Sequence, residues 1–161
     1  MSDALNVEGL RLLKETIADI VAIWSKRHHR AAVKDASDLV FWKDGMRGVL
    51  ERIAGGDGTP WTFQDLQHRF QETKDDVEEI ADRLRLKRDQ IAAQPGGIDV
   101  ARRIDDFLHG PVGKMGIRYA INQIIAHPDD KDVPAKARSG CNQIDAFNAE
   151  VRRLHVLAFG N

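Results

Sequence analysis

Between Phe63 and Ile91 the inward-type positions recur three and four apart without a gap: Phe63, Leu66, Phe70, Thr73, Val77, Ile80, Leu84, Lys87 and Ile91. A strand would scatter these residues over both faces, whereas a helix stacks them into one narrow seam. The spacing predicts a long central helix over about 62–94 whose seam needs a covering surface along its length. At its start, Thr62 with Asp65 reads as a capping-box variant and Trp61 with Leu66 as a hydrophobic staple. Gln94-Pro-Gly-Gly97 reads as its stop. Asp75, Asp76, Glu78, Glu79 and Asp82 precede Arg83, Arg85, Lys87 and Arg88, and Glu79 to Arg83 takes the favourable i,i+4 orientation.

The same period organises the rest of the chain. Helix one is expected from about Val7 to His29, with Leu10, Leu13, Ile17, Ile20, Val21 and Trp24 as its stripe. Lys26, Arg27 and Arg30 crowd its end, where cations offset the helix dipole. Helix two is expected over Ala31 to Ala54 on Val33, Ala36, Val40, Met46, Val49, Leu50 and Ile53, with a break near Arg30. The segment 54–61, rich in Gly and closed by Pro60, is a loop. Val100, Ile104, Phe107 and Leu108 mark a short helix four that ends at His109-Gly-Pro111. Helix five is expected from Val112 to Ala126 with Met115, Ile117, Ala120, Ile121, Ile124 and Ile125 inward. Helix six follows from Val133 to Ala158 on Ala137, Cys141, Ile144, Phe147, Val151 and Leu154, with Ser139-Gly140 as a weak point.

The expectation is one all-α domain over 1–161: a bundle of five to six mostly antiparallel helices behind a flexible lead-in at 1–6. Its C-terminus, Leu157-Ala-Phe-Gly-Asn161, suits either the terminal domain of a longer protein or a docked end.

Composition narrows the function classes. Basic residues number 24 against 25 acidic, a net charge of −1, so no global field draws in nucleic acid or an anionic membrane. The hydrophobic share of 42% with 30% charged residues is that of a globular chain. No stretch is apolar enough to span a bilayer, and Met1 to Glu8 does not read as a secretory signal. Cys141 stands alone, which suits a reducing, cytoplasmic setting.

Catalytic signals are sparse. Arg103 and His109 are spaced R-x5-H, with Arg102 one residue further away. This resembles the Arg-x(4–6)-His pair of helical HEPN-class ribonucleases, where cation and imidazole serve phosphoryl chemistry. With 15 Arg and 6 His, chance alone supplies on the order of one to two such pairs, and Ile104 stands where that class places a polar residue. Gly113-Lys-Met-Gly116 imitates a phosphate loop but lacks the upstream Gly, the Ser or Thr after Lys114, and a preceding strand. His28 and His29 are adjacent, so on a helix they point about 100° apart and do not share a metal. No metal site and no cofactor are expected. Cys141 reads as a small buried hydrophobe.

Thr73 and Lys87 interrupt the central seam, and such residues either set partner identity in a paired helix or mark where the stripe leaves the core. With Arg83 and Arg88 of the neighbouring basic run, they are the candidate interaction residues. The expected function is a non-enzymatic protein–protein interaction or scaffold module with a protein partner or a second copy. A small helical ribonuclease using Arg103 and His109 is the alternative, with ligand sensing in a pocket of Trp24, Trp42, Phe107 and Met115 as a further one.

Overall fold

The computed structural model describes residues 4–28 and 41–160. Among the described residues it is all-helical, without strands: α1 (Val7–His28), a π-helical turn (Lys43–Arg47), α2 (Gly48–Ala54), α3 (Pro60–Ala92), α4 (Ile98–Leu108), α5 (Ile117–Ala126) and α6 (Val133–Phe159). The expected break near Arg30, the stretch 31–40 of helix two and the side chains of Trp24, His28 and His29 lie outside the described residues.

The predicted seam is the inner face of α3. Leu66, Phe70, Thr73, Val77, Ile80, Leu84 and Ile91 are buried, and Phe63 and Lys87 are half-buried. What covers it is the chain itself: α1, α2, α4 and α5 all pack on α3. Helix α6 closes the other side against α1, α2, α4 and α5, and both it and α3 contribute buried side chains to one core. Helix α3 is thus the long central helix that the spacing predicts. In the core Phe107 of α4 and Phe147 of α6, both fully buried, meet edge to face with centroids 5.5 Å apart.

Several local expectations are corrected. Helix α3 starts at Pro60 rather than after Thr62, because proline's fixed φ and missing N–H suit the first helical position. Thr62 is buried and donates to Asp57 at 2.9 Å, while Trp61 is 69% exposed and so closes no staple. Asp65 instead accepts from Arg69 at 2.9 Å and Arg52 at 3.3 Å. Helix two is not continuous through Trp42. That residue sits in the left-handed region (φ 60°), and the chain resumes as a π-helical turn before α2. Helix five starts at Ile117, and Met115 points outward.

Helix α6 runs unbroken through Ser139-Gly140. A Cβ at Gly140 would lie 2.9 Å from Leu50 Cδ1, so the glycine serves close approach of α2. At the other end of the bundle, Asn6 caps α1 by accepting from the Gly9 amide at 2.8 Å. Its own amide donates to Pro95 O at 3.1 Å and its Nδ2 to Gln94 Oε1 at 3.1 Å, so the start of α1 is tied to the turn after α3. Gly96 in that turn (φ +76°) leaves room for the Ala4 carbonyl, 2.3 Å from where a Cβ would be.

Candidate functional site

Between the second half of α3, the α4–α5 turn and the start of α5 lies an open cleft of about 500 Å³, lined by Arg85, Leu108, His109, Val112, Gly113, Lys114, Met115 and Arg118. Its shape comes from the turn. Pro111 has no N–H to continue α4, and the chain folds back in successive tight turns. The Gly110 and Val112 amides donate to Phe107 O, Gly113 to Gly110 O, Gly116 to Gly113 O, and Ile117 to Pro111 O. A Cβ at Gly116 would fall 2.2 Å from Pro111 O, so no larger residue fits there. Val112 and Ile117 are driven into the core, and the intervening Lys114 and Met115 are left outside, Met115 at 66% exposure.

Charge around the cleft is one-sided. Arg85, His109, Lys114 and Arg118 rim it, no carboxylate lines it, and its floor is Leu108, Val112 and Met115. Arg118 is held by donating from Nη2 to Val112 O at 3.1 Å. Arg85 touches Asp82 at 2.8 Å in a pair that is more than half exposed on both sides, the kind worth little in water. One turn along α3 from Arg85, Arg88 grips Asp105 with two hydrogen bonds of 3.0 Å and docks α4 on α3. The Arg88 guanidinium holds the Asp105 carboxyl below its ordinary range, and Asp105 raises Arg88 in turn.

A second, polar cleft of about 230 Å³ lies over the π-helical turn and is lined by Trp42, Gly45, Met46, Arg69, Glu72, Thr73 and Asp76. The turn is fastened from α6. The buried Asn148 accepts from the Phe41 amide at 2.6 Å and donates to the Phe41 carbonyl at 3.1 Å. Arg47 reaches Asp145 through two hydrogen bonds of 2.8 and 3.0 Å and Glu51 at 3.2 Å. Asp145 raises the Arg47 guanidinium above its usual value. Cys141 lies below with its Sγ 3.7 Å from Arg47 O, and burial pushes its thiol up, away from nucleophilic use.

The four candidate interaction residues do not form one patch. Thr73 is buried at the polar cleft. Lys87, 13% exposed, bonds Glu15 of α1 at 2.5 Å and depresses that carboxyl. Arg83 lies in a groove with Asp19, Ala22, Ile23 and Glu79, and Arg88 is engaged with Asp105. Of the ribonuclease pair, His109 lines the basic cleft and Arg103 does not. Six residues of helix separate them by about 120° around the axis. Nor do Trp42, Phe107 and Met115 share a pocket: Phe107 is sealed in the core and Met115 is outside it. Among the described residues no three His, Cys, Asp or Glu side chains are grouped to hold a metal ion, and no helix is long and apolar enough to cross a membrane.

Sequence reasoning missed Arg85, Lys114, Met115 and Arg118 as neighbours. The available signal was Gly110, Gly113 and Gly116 around Pro111, which is turn punctuation rather than helix. No protein-family model matches the chain, and no curated protein or solved structure matches it.

Proposed function

We propose that this protein is a non-enzymatic helical interaction module that engages a protein partner at the cleft between α3, the α4–α5 turn and α5. The observation that carries the reading is Met115, a large apolar side chain held outside the core in a cleft that Arg85, His109, Lys114 and Arg118 also line. Recessed apolar surface with convergent polar groups is the usual form of a recognition site. Thr73, Lys87 and Arg88 serve the chain's own packing, so the partner surface moves from the α3 seam to its far end. The ribonuclease reading is not taken up, since Arg103 and His109 do not line one cleft. The lone Cys141 suits the reducing cytoplasm.

The test is a photo-crosslinking amino acid placed at position 115 in cells, with the same group at Lys131 in the 127–132 turn as control. The expected result is a specific protein adduct at 115 that is identified, purified and shown to bind the wild-type protein directly. No adduct above the level at 131 removes the proposal. Self-association has its own supporting observation, the exposed Val156, Leu157 and Phe159 at the end of α6. A strict monomer in sedimentation at high concentration removes that form.

A further inference from the structure

We infer that the occupant of the basic cleft is a short acidic segment of a partner protein carrying an apolar anchor. The inference rests on the interaction reading above and adds the chemistry of what is bound. Three properties of the cleft lead to it.

The first is sign. Three permanent cations converge from three separate segments, Arg85 from α3, Lys114 from the turn and Arg118 from α5, with His109 beside them, while the chain as a whole carries a net charge of −1. Such local segregation steers an anionic ligand to one place without attracting polyanions elsewhere. The second is availability. Among the described residues Lys114 has no ion-pair partner, the Arg85–Asp82 pair is solvent-screened, and Arg118 is oriented by the Val112 carbonyl. The third is the floor. The half-buried Leu108 and the exposed Met115 ask for an apolar side chain, and methionine adapts to anchors of different shape.

These properties separate the candidate occupants. Single-stranded nucleic acid favours large aromatic platforms, and no Phe, Tyr or Trp lines the cleft. A membrane surface is flat and favours long polybasic or amphipathic faces, whereas this site is a recess rimmed by Arg85, Lys114, Arg118 and one histidine. An extended or helical peptide with Leu-type anchors between Asp and Glu matches both rim and floor.

The test uses the full chain and a fluorescein-labelled synthetic peptide of about a dozen residues, two Leu flanked on both sides by Asp and Glu. Anisotropy titration is expected to give a Kd on the order of 10 µM in low salt, weakened at least roughly tenfold by salt that shrinks the Debye length to about 3 Å. Arg85→Glu with Lys114→Glu, both at exposed positions, is expected to weaken binding more than roughly tenfold. Met115→Ser is expected to weaken it severalfold and Lys131→Glu to leave it unchanged, with circular dichroism confirming the fold of each variant. Equal binding of a peptide with Ser in place of Leu would overturn the inference, as would binding indifferent to the Arg85/Lys114 variant. Tighter capture of phosphatidylserine vesicles or of single-stranded oligonucleotide at the same residues would overturn it in favour of those ligands. Partner adducts at position 115 without peptide binding would sink this inference and leave the interaction reading standing, while absence of both would end both.

Discussion

Asn148 shows how one polar side chain fixes a backbone that no helix period could hold. It lies on the inward stripe of α6 between Ile144 and Val151, and its amide satisfies both the N–H and the C=O of Phe41. That clamp sets the entry to the π-helical turn, where Trp42 carries the conformational cost of a left-handed backbone, about 1–2 kcal/mol. Replacing a buried partner exposes the cost of the groups it leaves behind, so Asn148→Ala should destabilise by about 2–3 kcal/mol in urea denaturation. A change within about 0.5 kcal/mol would mean the clamp contributes nothing. Asp57 plays a comparable part in the α2–α3 loop, accepting from the Thr59 amide at 3.0 Å and from the Thr59 and Thr62 hydroxyls at 2.7 and 2.9 Å. Those donors hold its carboxyl below the ordinary range, the Thr59 hydroxyl foremost.

Between elements, the interruption of the α3 seam at Lys87 turns out to read the identity of α1. Its ammonium meets Glu15, so Lys87→Glu should lower the melting temperature by placing like charges together, and the exchange Glu15→Lys with Lys87→Glu should recover part of the loss. An additive double variant would show that the pair has no say in how α1 lies on α3. The α2–α6 contact has a steric counterpart. Gly140→Leu should cost about 2–3 kcal/mol by overpacking against Leu50, and Leu50→Ala in the same chain should return some of it, measured by thermal or urea unfolding. At this scale the sequence was most readable where period and burial agree. The seam from Leu66 to Ile91 needed no tertiary knowledge, because a three-and-four spacing admits only one buried face. The 109–116 turn misled because Val112 and Met115 also fall three apart, although Pro111 and three glycines forbid the helix that spacing suggests. The cleft itself was illegible, since Arg85 and Arg118 become neighbours only when α4 and α5 are laid on α3.

For the whole molecule, α4 and α6 meet through Phe107 and Phe147 in the core. Phe147→Ala should cost about 3–5 kcal/mol and be felt by every helix, giving a single coincident transition by circular dichroism and fluorescence. Acid acts through a different set of groups. Glu15 is depressed by Lys87, Asp57 by its Thr59 and Thr62 donors, and Asp105 by Arg88. A carboxyl whose folded value lies below its unfolded value stabilises fully above the unfolded value, near about 4, and loses that contribution as pH falls through the folded one. The urea midpoint is therefore expected to hold steady from neutral pH down to about 5 and to fall below about 4. A midpoint insensitive to acid would mean that these three clips do not contribute to stability.

Trp42, buried and packed beside Phe41 and Phe147, has an optical consequence. With Trp24 and Trp61 changed to Phe, it becomes the sole indole emitter of the chain, and its blue-shifted spectrum would redden as soon as water reaches the Lys43–Arg47 turn. Loosening of that turn would then be watched on its own, in real time, while the remote end of the bundle stays intact.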